Sequence, residues 1–239
     1  MQIFNIDKYI ANLSIDCVIF GYDDAQLKVL IGKLKYGNNL YNLPGGHILK
    51  TESVDQAATR LLAERTQIKD LHLNQFKVFG DTNRIISSPH RALIIKELSE
   101  KYEKNEVDWI TSRFICVGYY ALVDISKVKP ITGELDKTFE WKSVHEIPEM
   151  FHDHKVILEE ALIALRQNFD QRLNASNLLP KTFTMKELQM LYAAVYEKDF
   201  PMNNFQKKML DLDVVERLEK KFTGAQNKAP YLYRFKSKE

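Results

Sequence analysis

Apolar residues form strand-like runs through the first 150 positions. Residues 15–21 read IDCVIFG and residues 113–123 read RFICVGYYALV, both rich in β-branched and aromatic side chains. The second run is the longest, and it predicts a central strand. Shorter runs predict strands at 27–31, 71–80 and 138–144. Strands interspersed with helices indicate an α+β first domain with a mixed sheet.

Helical spacing appears in three places along the chain. Residues 54–62 place alanine and leucine on one stripe, and residues 154–175 keep the same spacing over enough length to link two domains. A capping box formed by Thr184 and Glu187 then opens a third helix. The pattern divides the chain into a first domain at 1–152, a linking helix at 153–178 and a second domain at 179–239.

The second domain has the element order of a winged helix-turn-helix. A turn with Pro201 leads to a further helix at about 203–212, and two strand-like runs follow around the turn TGAQNKAP. At 100° per residue, Phe205, Met209 and Leu212 fall on the buried side of that helix. We therefore predict an α/β winged helix at the end of the chain.

Composition excludes few functions. The net charge is only +2, but positions from Ser176 onward hold 12 Lys and Arg against 8 Asp and Glu. A solvated lysine surface would give the same modest asymmetry. Cys17 and Cys116 are isolated within apolar runs, which indicates reduced core residues, and neither a leader segment nor a membrane span is recognisable. We expect a cytoplasmic protein without membrane association.

One segment carries a motif of catalysis in altered form. From Gly46 the chain fits the pattern G-x5-E-x7-R-E-U-x-E-E-x-G-U at Glu52, Arg60 and Glu64, where U is aliphatic. The pattern fails at Leu61, Arg65 and Gln67, where two glutamates and a glycine belong. Its chemistry is attack of water on a diphosphate, assisted by metal ions that helix carboxylates hold. Two lost glutamates predict that the chain has no catalytic residue, no metal site and no cofactor.

This pattern resembles the Nudix box, and with the winged helix it resembles the Nudix-related transcriptional regulators of bacteria. The resemblance also rests on the IDCVIFG strand, FGD at 79–81, VGYYALV, FHDH at 151–154 and LLPKTFTMKELQMLY. It implies a Nudix fold that binds a small effector, arabinose in one branch and an ADP-ribose-type nucleotide in another. It also implies homodimers on palindromic operators. The tail and the first strand look closest to the sugar-responsive branch, so a sugar or sugar derivative is the expected effector.

Two departures from that resemblance matter. Gln206 stands where relatives often have arginine, which leaves the base preference open. The segment 83–111 is longer than usual and adjoins the expected pocket. We expect a helix from residues 87–88 to about 102, with Leu93, Ile94 and Leu98 on one side.

The expected effector site lies in the loops around the Nudix cleft. Asp16 is the most suggestive residue, because a charge at the start of an apolar strand needs a partner. The two glycines let backbone amides approach a ligand, or they serve only a tight turn. Glu52 and Arg60 are expected to pair and hold the loop against the helix. The candidate effector-binding residues are Asp16, Asn42, Gly45, Gly46, His47, Asp81, Arg84 and Arg113.

The expected DNA site lies on the second domain. In a helix-turn-helix the outward residues of the second helix meet base edges, where Asn and Gln suit adenine and Lys reaches guanine or phosphate. The basic hairpin would neutralise phosphates, and the free amides at the start of the preceding helix would attract another. A winged helix also serves protein contacts. The candidate DNA-binding residues are Thr184, Lys186, Asn203, Asn204, Gln206, Lys207, Lys208, Arg217, Lys220, Lys221 and Lys228.

Three functions remain open at this stage. The first is a ligand-controlled transcription factor that binds double-stranded operator DNA. The second is a Nudix hydrolase of a nucleoside diphosphate derivative with unusual metal ligands, whose turnover Glu64→Gln would abolish. The third is an adaptor that uses both domains to dock proteins.

Overall fold

The fold, taken from a computed structural model, is described for residues 5–68, 71–84, 90–172, 177–221 and 229–236. Its centre is a mixed sheet in the order β3-β2-β1-β6-β5, with β4 paired to β1 and β7 paired to β2. The strands are β1 (Tyr9–Asp23), β2 (Gln26–Leu34), β3 (Tyr41–Asn42), β4 (Gly45–Leu49), β5 (Asn74–Phe79), β6 (Ile115–Val123) and β7 (Asp136–Ser143).

Strand β1 organises this sheet because it is long enough to pair with three partners. It runs parallel to β6 from Leu13 to Gly21, and antiparallel to β4 and β2 at its two ends. The sequence predicted only residues 15–21 as strand. The polar positions before them are strand because the backbone of Tyr9 and Ser14 pairs with β4.

Two helices cover the two faces of the sheet. Alternate residues of β1 point to opposite sides, so Cys17 and Ile19 pack with helix α1 (Val54–Thr66), while Val18 and Phe20 pack with helix α4 (His154–Arg172). Ser53 caps α1 and forms a capping box with Gln56. This arrangement places the α1 motif against one face and the linking helix against the other.

The segment before β6 forms two helices instead of the single predicted one. They are α2 (Arg91–Ser99) and α3 (Lys104–Ile110), and their buried residues form a small core with Tyr36 and Leu40. Residues 85–89, where the helix was predicted to begin, lie outside the described residues. Of the three residues predicted on one side of that helix, Ile94 and Leu98 are buried, whereas Leu93 is 37% exposed.

The last part of the chain is a winged helix. It consists of β8 (Phe183–Thr184), α5 (Met185–Tyr196), α6 (Met202–Asp211), β9 (Val215–Lys220) and β10 (Tyr231–Phe235), with the strands in the order β8-β10-β9. Phe205 and Met209 are buried as predicted, but Leu212 is 42% exposed because α6 ends before it. The domain boundaries at 152 and 178 stay predictions. Among the described helices, none is both long and apolar enough to span a membrane.

Candidate effector cavity and nucleic-acid interface

A cavity of about 220 Å³ opens where β1, β3 and β4 meet the α2–α3 insertion. Its apolar wall comes from residues such as Ile94, Leu98 and Phe114, and its polar wall comes from the sheet and from the first turn of α4. Of the predicted effector residues, six line this cavity: Asp16, Asn42, Gly45, Gly46, His47 and Arg84.

Asp16 occupies the centre of the polar wall. Its Oδ2 accepts a hydrogen bond from the Cys116 thiol at 2.9 Å and lies 3.5 Å from the Arg84 guanidinium and 3.7 Å from His154 Nε2. Arg84 is bound more tightly by Asp153, at 2.6 Å. The expectation that the Asp16 charge must find a partner is confirmed, and it finds three.

Two substituted residues of the altered motif, Leu61 and Arg65, contact the two glycines that form the floor of the cavity. Leu61 is 4% exposed and lies against Gly46, where a Cβ would come within 2.5 Å of its side chain. Arg65 donates to the Gly45 carbonyl at 3.3 Å and lies 3.7 Å from Asp136. Apolar and cationic groups therefore occupy the positions of the two missing glutamates.

The two glycines of this floor lie in strand β4 and not in a tight turn. Their backbone pairs with Ile15 and Asp16, and a Cβ on Gly45 would stand 2.4 Å from the Ile15 carbonyl oxygen. The turn interpretation of these glycines is wrong. The missing side chains allow close contact between β1, β4 and α1.

The predicted pair of Glu52 and Arg60 is confirmed. Arg60 donates to both carboxylate oxygens of Glu52, at 2.6 and 2.9 Å, and to the His47 carbonyl at 3.0 Å. Glu52 in turn accepts from the Leu49 amide, and these bonds lower its pKa, with Arg60 as the main cause. The remaining box carboxylate, Glu64, lies 3.3 Å from Arg60.

Two histidines in the wall are held neutral by burial. Burial lowers the pKa of His47 to about 4, and the ring packs against Trp109 and Phe114 with centroids 4.3 and 4.9 Å away. His152 has a pKa lowered to about 3, chiefly by burial and then by the nearby charges of His154 and Arg84. Its backbone is left-handed, with a φ of 49°. Sequence analysis missed both His152 and His154, although they lie in the FHDH run.

Two predicted effector residues lie elsewhere. The side chain of Arg113 is exposed and donates to the carbonyls of Gly80 and Asp81. Asp81 belongs to a separate open cleft beside β5, which shares Arg84 and His152 with the cavity. Neither Arg113 nor Asp81 lines the cavity. Their contact with an effector stays a prediction.

The outer face of α6 is the main candidate surface for DNA. Asn203, Asn204 and Lys207 are exposed and Gln206 is half-buried, so the predicted polar face is present. Lys208 is half-buried, and its Nζ lies 2.6 Å from Asp170 of α4. Its contact with DNA stays a prediction.

The other predicted DNA contacts lie on both sides of α6. Thr184 is buried and its hydroxyl caps α5 by accepting from the Glu187 amide, so this side chain is not at the surface. Lys186 is exposed beside it. In the wing, which is formed by β9 and β10, the Arg217 guanidinium lies 3.3 Å from the Tyr231 ring centroid. The Lys220 ammonium lies 5.4 Å from the same ring centroid, and the Lys221 ammonium lies 3.8 Å from the Glu187 carboxylate. The remaining candidate, Lys228, lies outside the described residues.

Comparisons with known proteins agree with this two-part structure. The NrtR DNA-binding winged helix domain matches residues 175–235. The ADPR responsive transcriptional repressor NtrR of Acinetobacter baylyi is 24% identical over 229 residues, which cover 93% of this chain and 81% of that protein.

Solved structures give the same result. Shewanella oneidensis NrtR complexed with a 27mer DNA superimposes with a TM-score of 0.69 at 25% identity, covering 94% of this chain and 93% of that one. A MutT/nudix family protein from Enterococcus faecalis, 19% identical, covers 95% of this chain and 87% of its own with a TM-score of 0.68, which supports the fold. The predicted α+β fold with its C-terminal winged helix and the resemblance to Nudix-related transcriptional regulators are confirmed.

Proposed function

We propose that this Nudix-related regulator binds double-stranded operator DNA through its winged helix, and that a small metabolite in the Nudix cavity controls the binding. The observation that supports this proposal is the presence of two features in one chain. A domain that matches a DNA-binding winged helix is joined by α4 to a domain with a cavity. The proteins it matches include one named as a transcriptional repressor and one solved with bound DNA.

The charges of the cavity favour a neutral, hydroxyl-rich effector. Its described lining holds three carboxylates, Asp16, Glu134 and Asp136, against the two guanidinium groups of Arg65 and Arg84. Each arginine already lies near a carboxylate. A diphosphate brings about two further negative charges that such a lining does not offset, whereas a hydroxyl both donates and accepts and fits carboxylates, amides and histidines. A sugar is therefore the first candidate.

ADP-ribose is the second candidate, and the relatives favour it. The matching repressor from Acinetobacter is named as ADPR responsive. A ligand of that length would need space outside the cavity, and the cleft shared through Arg84 and His152 offers it. Its phosphates would have to displace Asp153 or Asp16 from Arg84.

For DNA we propose that α6 reads bases and the flanking lysines hold phosphates. Asn203 and Gln206 suit adenine, and Lys207 suits guanine or phosphate. Lys186, Lys220 and Lys221 are placed to neutralise the backbone on either side. A palindromic operator would require two copies of the chain, so we propose a homodimer.

Hydrolysis is the less favoured function. Leu61 and Arg65 replace box carboxylates, and Glu64 lies beside Arg60. The described residues contain no group of three His, Cys, Asp or Glu side chains arranged to hold a metal. Magnesium-dependent turnover of ADP-ribose that Glu64→Gln abolishes would overturn this proposal.

The test measures binding of the purified chain to a labelled duplex from its own upstream region, by fluorescence anisotropy at moderate salt. Pentoses, hexoses, their phosphates and ADP-ribose are added in turn. We expect specific binding that one compound shifts at least about fivefold, a typical allosteric coupling. The Asp16→Asn variant should bind the duplex but lose the response. Duplex binding no tighter than to an unrelated sequence would refute the regulator.

A further inference from the structure

The carboxylate of Asp170 joins three helices at the boundary between the two domains. It lies near the last turn of α4, and its Oδ2 accepts a hydrogen bond from Lys208 of α6 at 2.6 Å. It also faces two phenols of α5, where burial and then this carboxylate raise the pKa of Tyr196 to about 12 and that of Tyr192 further. The Lys208 ammonium stands 5.6 Å from the Tyr192 ring centroid.

Other contacts fasten the same end of α4 to α5 but not to α6. Arg166 donates to the Val195 carbonyl at 2.7 Å and pairs with Glu197, and Tyr196 donates to the Arg166 carbonyl. Phe169 packs edge-on against Tyr192 with centroids 5.1 Å apart. The hydrogen bond from Lys208 to Asp170 is therefore a polar contact between α4 and α6, the recognition helix in the proposed DNA complex.

The opposite end of α4 forms part of the cavity wall. Asp153, directly before the helix, holds Arg84, and His154 Nδ1 accepts from the Leu43 amide at 2.9 Å. Asp153 and Asp170 are seventeen positions apart, which corresponds to about 26 Å along a helix. One rigid element thus has a polar anchor at the cavity and another at α6.

We propose that Asp170 is a positioning residue for DNA recognition: through Lys208 it fixes the recognition helix to α4, and so ties the helix to the effector cavity. The link between α6 and the effector cavity rests on the proposed function. The attachment of α6 to α4 concerns the free protein alone. A shift of α4 by the effector would carry Asp170 and α6 with it, which gives the two sites a shared two-state element.

The first test uses amide hydrogen exchange in the free full-length chain. Asp170→Asn and Lys208→Met should each speed exchange of the amides of α6 at least about fivefold, because a bond between charged groups is lost. The double variant should add little to either single change. Glu159→Gln, which removes an exposed acid of α4, and Lys207→Met, which removes an exposed lysine of α6, should match the wild type. Unchanged α6 exchange in Asp170→Asn overturns the positioning role.

The second test compares duplex affinity with and without arabinose or ADP-ribose. Both variants should bring the ratio of the two affinities toward one, and Lys208→Arg should restore it. Lys207→Met should weaken binding but keep the ratio. If Lys208 is instead a hidden phosphate contact, Asp170→Asn will release it, tighten binding and steepen the salt dependence, which overturns the proposal. A wild type that responds to neither compound refutes the effector, while hydrogen exchange still decides the role of Asp170.

Discussion

Arg60 is the residue on which the loop after β4 depends. It donates five hydrogen bonds of 2.6 to 3.3 Å, two to Glu52, one to the His47 carbonyl and two to Glu64. Its side chain is 27% exposed. Replacing it with methionine leaves the nearly buried Glu52 carboxylate without its cation. We expect Arg60→Met to lower the free energy of unfolding by about 2 kcal/mol, measured by urea denaturation.

The pH dependence of that loss has a defined sign. The pKa of Glu52 is lowered from 4.5 in the folded chain, so its stabilisation is present above pH 4.5 and is lost as pH falls through the folded value. Arg60→Met should therefore flatten the stability curve in that acidic range. As a control, Arg234→Met removes an exposed pair with Glu216 and should cost less than about 1 kcal/mol. Equal losses would contradict the role assigned to Arg60.

His152 predicts a second pH effect at a higher range. Its pKa is about 3 in the folded chain, while an unfolded histidine titrates near 6.5. Between these values the unfolded chain binds the extra proton, so this residue makes the free energy of unfolding fall as pH decreases from 6.5. His152→Asn should make that fall shallower, because asparagine tolerates the φ of 49° and carries no titrating group. Denaturation between pH 7 and 4.5 measures it, and the exposed His145→Asn is the control.

Sequence predicts single residues well where one partner lies nearby in the chain. The Glu52 and Arg60 pair follows from the resemblance to the Nudix box, in which these two positions, eight residues apart, commonly pair. His152 and His154 reach the cavity only because α4 returns to β1. No local pattern in FHDH encodes that return.

At the scale of elements, we expect α6 to discriminate between DNA sequences and the wing to contribute to affinity for any duplex. The exposed Lys207 lies on the outer face of α6, whereas Lys221 follows β9 beside Glu187. Lys207→Ala should reduce discrimination between the operator and an unrelated duplex by about 1–3 kcal/mol. Lys221→Ala should weaken binding to both duplexes alike and reduce the slope of affinity against salt by about one. Equal loss of discrimination in both variants would refute the groove assignment.

The α2–α3 insertion is an element that the hydrophobic pattern did not predict correctly. Its leucine and isoleucine spacing predicted one helix, but Ile94 and Leu98 pack with Tyr102 and Val107 around Tyr36. A break between the helices lets the second fold back on the first and close the cavity. That choice depends on the surface offered by Tyr36 and Leu40, which follow β2 and lie far away in sequence.

The whole molecule has one large apolar core that crosses the predicted domain boundary. The core runs from Phe20 of β1 through Phe169 of α4 to Tyr192 of α5 and Phe205 of α6, and these four residues are at most 4% exposed. Sequence predicted residues 153–178 as a linking helix between two domains. The helix is a shared layer, because residues such as Ile157 face the sheet while Phe169 faces the winged helix.

A shared core predicts that both parts unfold together. Both tryptophans, Trp109 and Trp141, lie in the first domain, so their fluorescence follows that domain, while far-ultraviolet circular dichroism follows the whole chain. The two signals should give the same urea midpoint. Phe169→Ala should lower stability by about 3–5 kcal/mol and separate the midpoints, whereas Val156→Ala, on the exposed side of α4, should do neither. Separate transitions in the wild type would mean that α4 merely tethers two independent domains, and an effector bound to one could then not act on the other through packing.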